Sequence, residues 1–235
     1  MLITVICKAH KKKWLDNLVE NFEKQSYQEK EFVLILNGEL ENYTVPDNYI
    51  IFRSNSSNMS KLDNIALDWM NLNNRKVYAI FDSDDWYSSN YLEESLPYLC
   101  NNIISGKSDI SFNYRNDVFR TLGSVKHDIW NPTLIGNLTD IRYDERITYC
   151  MDTEFLHSHR QKSYSIGYNE SINNWIYNVT SNSFQQREDW KIWQAFTTYN
   201  TIVKNKDFKI LKDKEVIWKY GDKIIEKQQD ILKLY

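Results

Sequence analysis

The sequence predicts an α/β protein with a mostly parallel central sheet of Rossmann type, flanked by helices. Two observations lead to this prediction. Short apolar runs alternate with longer segments whose apolar residues recur at helical spacing. One such run, residues 77–81, leads directly into Asp82-Ser83-Asp84-Asp85. A strand that is buried on both faces and ends in carboxylates is typical of a sheet that binds ligands at the carboxyl ends of its strands.

The strands and helices of the first half alternate regularly. Residues 2–7 predict the first buried strand, and apolar positions from Trp14 to Phe22 predict an amphipathic helix after a short polar turn. A second helix is expected over residues 59–70, after a loop rich in Ser and Asn. Further strands are predicted at residues 31–36, 49–52 and 77–81. This order favours parallel strands that are joined by crossover helices.

The second half predicts fewer regular elements. A helix is expected at residues 91–104, a strand at 109–114 and another helix at 184–200. Residues 201–235 hold more lysines than acidic residues, and they predict a small β-hairpin followed by an amphipathic helix. We expect this C-terminal appendage to pack on the core. A homodimer contact through its helix and a weakly basic surface for a polyanionic acceptor are the alternatives.

Composition excludes several classes of protein. The formal net charge of −3 gives no general electrostatic reason to bind nucleic acid or an anionic membrane. No GxGxxG or GxxxxGK[ST] motif is present, so dinucleotide-binding and P-loop turns have no support. Cys7, Cys100 and Cys150 lack zinc-site spacing, and we expect them to be reduced and buried in a cytoplasmic protein. Neither a signal peptide nor an apolar run of the roughly 18 residues that span a membrane is evident.

The acidic cluster after residue 81 is the strongest indication of a site. Carboxylates so close together repel one another unless a cation or hydrogen-bond donors hold them, and a hard divalent ion shared with a substrate diphosphate would do so. An EF-hand loop is disfavoured, because Trp86 occupies a ligand position and Tyr87 the position that requires glycine. A structural alternative makes the acids the start of the next helix. That alternative accounts for Asp85 but not for Asp82.

The order of motifs resembles the GT-A glycosyltransferases of the family 2 type. Gln25-Ser26-Tyr27 matches the Gln-Thr-Tyr-like triplet after the first helix, and Asp82-Ser83-Asp84-Asp85 matches the DxD signature. Leu36-Asn37-Gly38-Glu39 stands where the family has Asp-Asp-Gly-Ser. Residues 58–64 resemble its Gly-x-x-x-Ala-Arg-Asn stretch, with Asn58 in place of the glycine. The resemblance implies one GT-A domain over residues 1–200, with a donor half at 1–105 and an acceptor half at 106–200.

For the donor half, the resemblance implies a nucleotide sugar, UDP-linked, whose base lies near Ala9 and Asn37. The Asn37 amide oxygen could accept a hydrogen bond from a uracil imide N–H. The family often has a phosphate-facing Arg where this sequence has Asp63. Lys61 is the candidate replacement, and a solvated surface lysine is the alternative.

The resemblance also assigns the metal ligands. Asp82, together with the adjacent Ser83, is expected to face the ribose and the metal. Asp84 is expected to be the principal ligand of Mn²⁺ or Mg²⁺ that bridges the diphosphate. Asn178, Thr180 or water is the expected third ligand, since the histidine that several families place there is absent.

A second family-like pattern lies in the acceptor half. Residues 143–146 followed by Met151-Asp152 resemble Phe-Asp-Glu, a gap, then Glu-Asp at the start of a helix. The resemblance assigns Asp152 as the catalytic base that deprotonates the acceptor hydroxyl, with Met151 in place of the usual Glu. A simple helix N-cap is the alternative role for Asp152. Residues 127–133 resemble the loop before the acceptor site, and residues 175–183 resemble the aromatic strand and polar turn that follow the base helix.

The resemblance implies a metal-dependent glycosyltransferase that inverts the anomeric configuration. The expected acceptor is a carbohydrate, a lipid-linked group or a protein. Three alternatives remain open: transfer to a modified nucleic-acid base, a nucleotidyltransferase, and a non-catalytic protein of the same fold that binds nucleotide sugars.

Overall fold

A seven-stranded sheet lies at the centre of the computed structural model, which describes residues 1–40, 42–45, 48–107, 111–114, 117–122, 129–147, 151–169, 175–178 and 201–204. In chain order the described strands are β1 (Ile3–Ala9), β2 (Lys30–Asn37), β3 (Ile50–Ser54), β4 (Val77–Asp82), β5 (Trp86–Tyr87), β6 (Ile104–Gly106), β7 (Ser111–Tyr114), β8 (Asp117–Leu122), β9 (Ile135–Asn137), β10 (Ile166–Tyr168), β11 (Trp175–Asn178) and β12 (Thr201–Lys204). The described α-helices are α1 (Lys12–Glu23), α2 (Met59–Leu72), α3 (Tyr91–Ser95) and α4 (Met151–Gln161). Short 3₁₀ turns lie at Gly38–Leu40, Leu96–Leu99 and Asn131–Thr133.

The strand order of the central sheet is β10-β6-β9-β4-β1-β2-β3. Pairing is parallel throughout except at β9, which runs antiparallel to both β4 and β6. The prediction of a mostly parallel sheet flanked by helices is therefore confirmed. A second sheet has the order β12-β8-β7-β11-β5 and begins directly after the acidic cluster.

The two faces of the central sheet pack against different helices. Val5 and Cys7 of β1 belong to the core that contains Leu18 of α1. Ile6 of β1 belongs to the opposite core, which contains Leu62 of α2. Side chains alternate along a strand, so every second residue of β1 and β4 faces α2. This alternation determines which polar residues at the strand ends share a face.

Residues at the ends of neighbouring strands are aligned. Lys8 of β1 pairs with Asp82 of β4, and Ala9 pairs with Leu36 of β2. Lys8 lies two residues after Ile6, and Asp82 two residues after Ile80, so both face the α2 side of the sheet.

Two predictions about the region after residue 90 are wrong. The helix predicted at residues 91–104 ends as α3 at Ser95 and continues only as a 3₁₀ turn, because Pro97 cannot donate the backbone hydrogen bond that an α-helix requires. Cys100 is exposed, whereas Cys7 is buried as expected. Cys150 lies outside the described residues.

The remaining predictions for the second half are tested only in part. The strands predicted from residues 109 and 175 are present as β7 and β11. Thr201–Lys204 forms β12 and pairs antiparallel with β8. The polar turn 179–183, the helix predicted at 184–200, and the hairpin and helix after residue 204 lie outside the described residues. No helix within the described ranges is long and apolar enough to cross a bilayer.

Candidate functional site at the carboxyl ends of the strands

The carboxyl ends of β1, β2 and β4 bring three of the predicted donor residues to one edge of the sheet. These residues are Ala9, Asn37 and Asp82, each the last residue of its strand. The Asn37 side chain donates from Nδ2 to the backbone oxygen of Ser56 over 3.3 Å. Its Oδ1 accepts no hydrogen bond from the described residues. Asn37 Oδ1 is therefore the atom that can accept a hydrogen bond from a group that binds beside it.

The acidic loop is held by an aromatic stack on its α1 side. The rings of Phe81 and Tyr87 are parallel, with centroids 3.9 Å apart. The Tyr87 hydroxyl accepts a hydrogen bond from the backbone N–H of Asp82 at 2.8 Å and donates to the backbone oxygen of Pro132 at 2.8 Å. Both ends of the loop are thus attached to one buried ring.

Three side-chain amides, in α1 and just after its end, bind the backbone of the same loop. Asn17 and Asn21 lie four residues apart on one face of α1, Gln25 follows at the same spacing after the helix ends, and all three are buried. Asn17 donates to the backbone oxygens of Ser83 at 2.7 Å and Asp85 at 2.9 Å. Asn21 donates to the Asp85 oxygen at 2.9 Å.

The third amide extends this contact to the end of the loop. Gln25 Nε2 donates to the backbone oxygen of Ser88 at 2.7 Å, and its Oε1 accepts from the N–H of Leu92 at 3.1 Å. We call Asn17, Asn21 and Gln25 the amide ladder. Sequence reasoning noticed only Gln25, as part of a motif. The missed signal is the recurrence of amides at every fourth position on a helix face that is otherwise apolar.

A buried ion pair lies beneath the acidic cluster. The Lys8 ammonium is 2.5 Å from Asp63 Oδ1, and both side chains are almost fully buried. Burial lowers the pKa of Lys8, but the charges of Asp63 and Asp82 raise it above its ordinary value. Lys61, the residue expected to replace a missing cation, is exposed on α2. Lys8 was missed, although a lysine inside the apolar run of β1 was a visible signal.

The predicted metal ligands and the predicted base share one electrostatic environment. Burial raises the pKa of Asp82 to about 7, and the negative charges of Asp84, Asp63 and Asp152 add to this shift while Lys8 opposes it. Unscreened charges affect one another at such a site only when they lie near each other. Ser83, between the two ligands, is buried and its backbone oxygen is bound by the amide ladder.

Asp152 lies in the first turn of α4, and contacts between α4 and α2 hold that turn in place. The Ser60 hydroxyl of α2 lies 3.4 Å from the sulfur of Met151 and donates to the backbone oxygen of Ile147 at 3.2 Å. Met151 is thus part of the packing between the two helices. The Asp152 side chain is half-buried.

The segment before α4 is fixed mainly by Asn64 and Tyr143. Asn64 binds the backbone of Tyr143 twice, as donor and as acceptor, at 2.9 Å each. The Tyr143 ring stacks on Phe155 of α4 with centroids 4.0 Å apart, and its hydroxyl donates to Asn131 at 2.7 Å. Helix α4 is therefore tied to α2 and to the 3₁₀ turn at Asn131–Thr133.

Asn58 does not reproduce the conformation of the glycine that it replaces. Its φ of −82° is ordinary extended backbone, and its side chain caps α2 by accepting from the N–H of Lys61 at 3.1 Å. Its Nδ2 donates to the backbone oxygen of Glu145 at 2.7 Å. A left-handed residue is not required at this helix start.

The sequence matches no protein-family model and no curated protein. Among solved structures it is similar to S. aureus TarS 1–349 in complex with UDP, at 16% identity and a TM-score of 0.54, over 77% of this chain and 61% of that chain. The complex of the same protein with UDP-GlcNAc gives 16% identity, a TM-score of 0.54, and coverage of 75% and 58%. The mannosyltransferase PcManGT from Pyrobaculum calidifontis, in complex with GDP-Man and Mn²⁺, is 11% identical with a TM-score of 0.56, over 91% of this chain and 68% of that chain. The protein has a GT-A-like glycosyltransferase fold.

The GT-A-like chain spans about three fifths of the TarS 1–349 chain that it matches. At these identities the likeness is one of fold. The activity of this chain must therefore be inferred from its own site.

The donor set of this GT-A-like site fits a divalent ion that is shared with a substrate. Within the described part of the chain, no three His, Cys, Asp or Glu side chains converge as a metal site. Mg²⁺ is commonly bound by one or two carboxylates, with phosphate and water oxygens completing the shell. Asp82 and Asp84 supply two carboxylates. Burial is the largest cause of the raised pKa of Asp82 and the charges of Asp84, Asp63 and Asp152 raise it further, so a cation would stabilise the ionised carboxylate. The third-ligand candidate Thr180 lies outside the described residues.

We predict that Asn21→Ala destabilises the protein by about 2–4 kcal/mol. The Asp85 backbone oxygen would lose one of its donors. The Tyr87 N–H, which donates to Asn21 Oδ1 at 3.1 Å, would lose its acceptor. Urea unfolding measures the change. Asn71→Ala, at an exposed position of α2, is the matched control and should change stability by no more than about 0.5 kcal/mol. Equal stabilities of the two variants would contradict a structural role for the amide ladder.

Proposed function

We propose that the protein is a metal-dependent glycosyltransferase that moves a sugar from a UDP-linked donor to an acceptor hydroxyl with inversion. One observation carries the proposal: Asp82 ends β4 beside the ends of β1 and β2 at the carboxyl edge of a GT-A-like sheet, and the charges of Asp84 and Asp152 lie near enough to raise its pKa. A nucleotide-sugar donor is supported by the similar solved structures. TarS has been solved with UDP and with UDP-GlcNAc, and PcManGT with GDP-Man and Mn²⁺.

The nucleotide base is proposed to lie against Ala9 and Asn37. Because Asn37 Nδ2 is bonded to Ser56, its Oδ1 faces the base as an acceptor. The imide N–H of uracil is a matching donor, whereas the ring nitrogen at the same position of cytosine is itself an acceptor. Lys61, exposed in the first turn of α2, remains a proposed contact of the diphosphate.

Asp84 and Asp82 are the proposed ligands of Mn²⁺ or Mg²⁺. When bound, such an ion supplies Lewis-acid stabilisation of the charge that develops on the departing diphosphate. Asp82 and Asp84 would hold such an ion, and the amide ladder fixes the backbone of the loop that carries both carboxylates. Ser83 is proposed to contact the donor from the same loop.

Asp152 is the proposed base. It accepts the proton of the acceptor hydroxyl while the hydroxyl oxygen forms a bond to the anomeric carbon and the bond from that carbon to the diphosphate breaks. The N-terminal position on α4 favours the ionised carboxylate. Attack from the face opposite the leaving group inverts the anomeric centre.

The acceptor class is a carbohydrate, lipid-linked or protein hydroxyl in this proposal. Transfer to a nucleic-acid base is the alternative, and salt-sensitive association with duplex DNA would favour it.

A thermal-shift screen tests the donor and the metal together. UDP-GlcNAc, other UDP-sugars and GDP-Man should each be tested with and without Mn²⁺. We expect at least one UDP-sugar with Mn²⁺ to raise Tm by about 5 °C at a hundredfold excess over Kd, because a ligand that binds only the folded state stabilises it. Asp84→Ala should abolish the metal-dependent part of the shift. The absence of any shift with every nucleotide sugar would refute the proposed function.

Replacing the proposed base separates chemistry from binding. Asp152→Asn should leave the donor-induced Tm shift intact and lower kcat by about a hundredfold or more, which is the usual contribution of a general base. Asp16→Asn, at an exposed carboxylate of α1, should leave kcat unchanged. Retention of most of the transfer rate by Asp152→Asn would show that another group removes the proton.

The role of Asn37 predicts a difference between two substitutions. Asn37→Asp keeps an oxygen acceptor and should retain UDP binding, whereas Asn37→Ala should weaken it by about tenfold, the effect of losing one hydrogen bond. Calorimetric titration with UDP and Mn²⁺ measures both. Equal affinities for the two variants would remove Asn37 from the base contact.

A further inference from the structure

We infer that Asp63 is a positioning residue that holds the Lys8 ammonium away from Asp82 and so keeps the Asp82 carboxylate available to a divalent cation. The inference rests on the proposed function, because it concerns the cation site of that function. It assigns a role to a buried ion pair that neither the donor nor the acceptor chemistry uses directly.

The backbone brings Lys8 and Asp82 side by side. They are paired residues of the parallel strands β1 and β4, and their side chains project toward the same helix, α2. Neighbouring strands lie about 4.8 Å apart, and a lysine side chain is long enough to reach a carboxylate on the adjacent strand. An ion pair between Lys8 and Asp82 is therefore the simplest expectation from the sheet alone.

The observed partner of Lys8 is different. Its Nζ lies 2.5 Å from Asp63 Oδ1, and the described residues contain no second ion pair of Lys8. Asp63 reaches it from α2, and its side chain has no exposed surface. Helix α2 thus delivers the carboxylate that turns the ammonium from the strand end toward the helix.

Packing alone gives no reason for this arrangement. Asp63 Oδ2 is buried without a hydrogen-bond partner, although Leu62 and Ala66 beside it in α2 belong to a well-packed apolar core. A buried ion pair is often no more stabilising than apolar residues of similar volume, and an unpartnered carboxylate oxygen makes the balance worse. The pair is better accounted for by its effect on the charge at the strand ends.

Removal of Asp63 alone should have a specific consequence. The buried ammonium of Lys8 would lose its partner, and the nearest carboxylate on the adjacent strand is Asp82. Pairing with Asp82 would occupy oxygens that a divalent cation needs, and the uncompensated positive charge would repel that cation. Removal of both Lys8 and Asp63 should have neither effect.

A Mn²⁺ titration of the full chain tests this inference. The electron paramagnetic resonance signal of free Mn²⁺ measures binding, with and without UDP. Asp63→Asn should weaken Mn²⁺ binding by about tenfold or more, as expected for one added unit charge near a divalent ion. The double variant K8M/D63N should bind within about threefold of the unchanged protein. The matched control is K12M/D16N, which removes the exposed ion pair of Lys12 and Asp16, 3.1 Å apart on α1. It should not change Mn²⁺ affinity.

Each outcome decides between explanations. If the unchanged protein takes up no Mn²⁺ with or without UDP, the proposed function fails and this inference fails with it. If it binds Mn²⁺ and Asp63→Asn binds equally well, only the inference is overturned. If K8M weakens binding as strongly as Asp63→Asn does, Lys8 itself is a ligand-binding group and the inference is wrong.

A second comparison applies even if Asp63→Asn does not fold. K8M and K8M/D63N should both bind Mn²⁺ at least about as well as the unchanged protein, because neither variant leaves an unpaired ammonium beside Asp82. Binding by K8M/D63N that is about tenfold weaker than that of the unchanged protein would overturn the inference. Circular dichroism and Tm of each variant report folding separately from metal affinity.

Discussion

The concentration of negative charge at the carboxyl end of β4 is the constraint on which the rest of the site depends. Asp82 ends a strand that is buried on both sides, and three further carboxylates act on its charge. Burial and neighbouring negative charges both favour the protonated form of a carboxyl group. The carboxylates of this site are therefore stable as anions only where compensating groups are near. Lys8 supplies part of that compensation from the neighbouring strand, and the arrangement favours a cation for the remainder.

Side-chain amides carry much of the structural support around these acids. The amide ladder binds the backbone of the acidic loop, Asn58 caps α2, and Asn64 fixes the segment that leads to α4. The chain has only six glycines, so few of its turns use glycine for close backbone approach. Amide groups donate and accept at once, which lets them satisfy loop carbonyls that have no partner in a strand or helix.

Three residues that differ from the resembled family pattern each make a contact that accounts for the difference. Asp63 forms the ion pair with Lys8, Met151 packs against Ser60, and Asn37 keeps an oxygen acceptor at the end of β2. The negative charge of Asp63 is thus balanced by a lysine from the neighbouring sheet, which the pattern of α2 residues alone does not indicate.

The sequence by itself determined the α/β class, the buried strands of the first half, both long helices there and the place of the acidic cluster after β4. These follow from periodicity and from the order of residues along a short segment, which are local properties. The helix predicted over residues 91–104 ends at Ser95, because Pro97 interrupts a segment whose apolar spacing is otherwise helical. Only the tertiary structure decided that Lys8 pairs with Asp63, 55 residues away, and that Asn17 binds Ser83, 66 residues away. Such partners depend on how distant elements pack, and a buried polar group bonds to whichever partner the packing brings within reach.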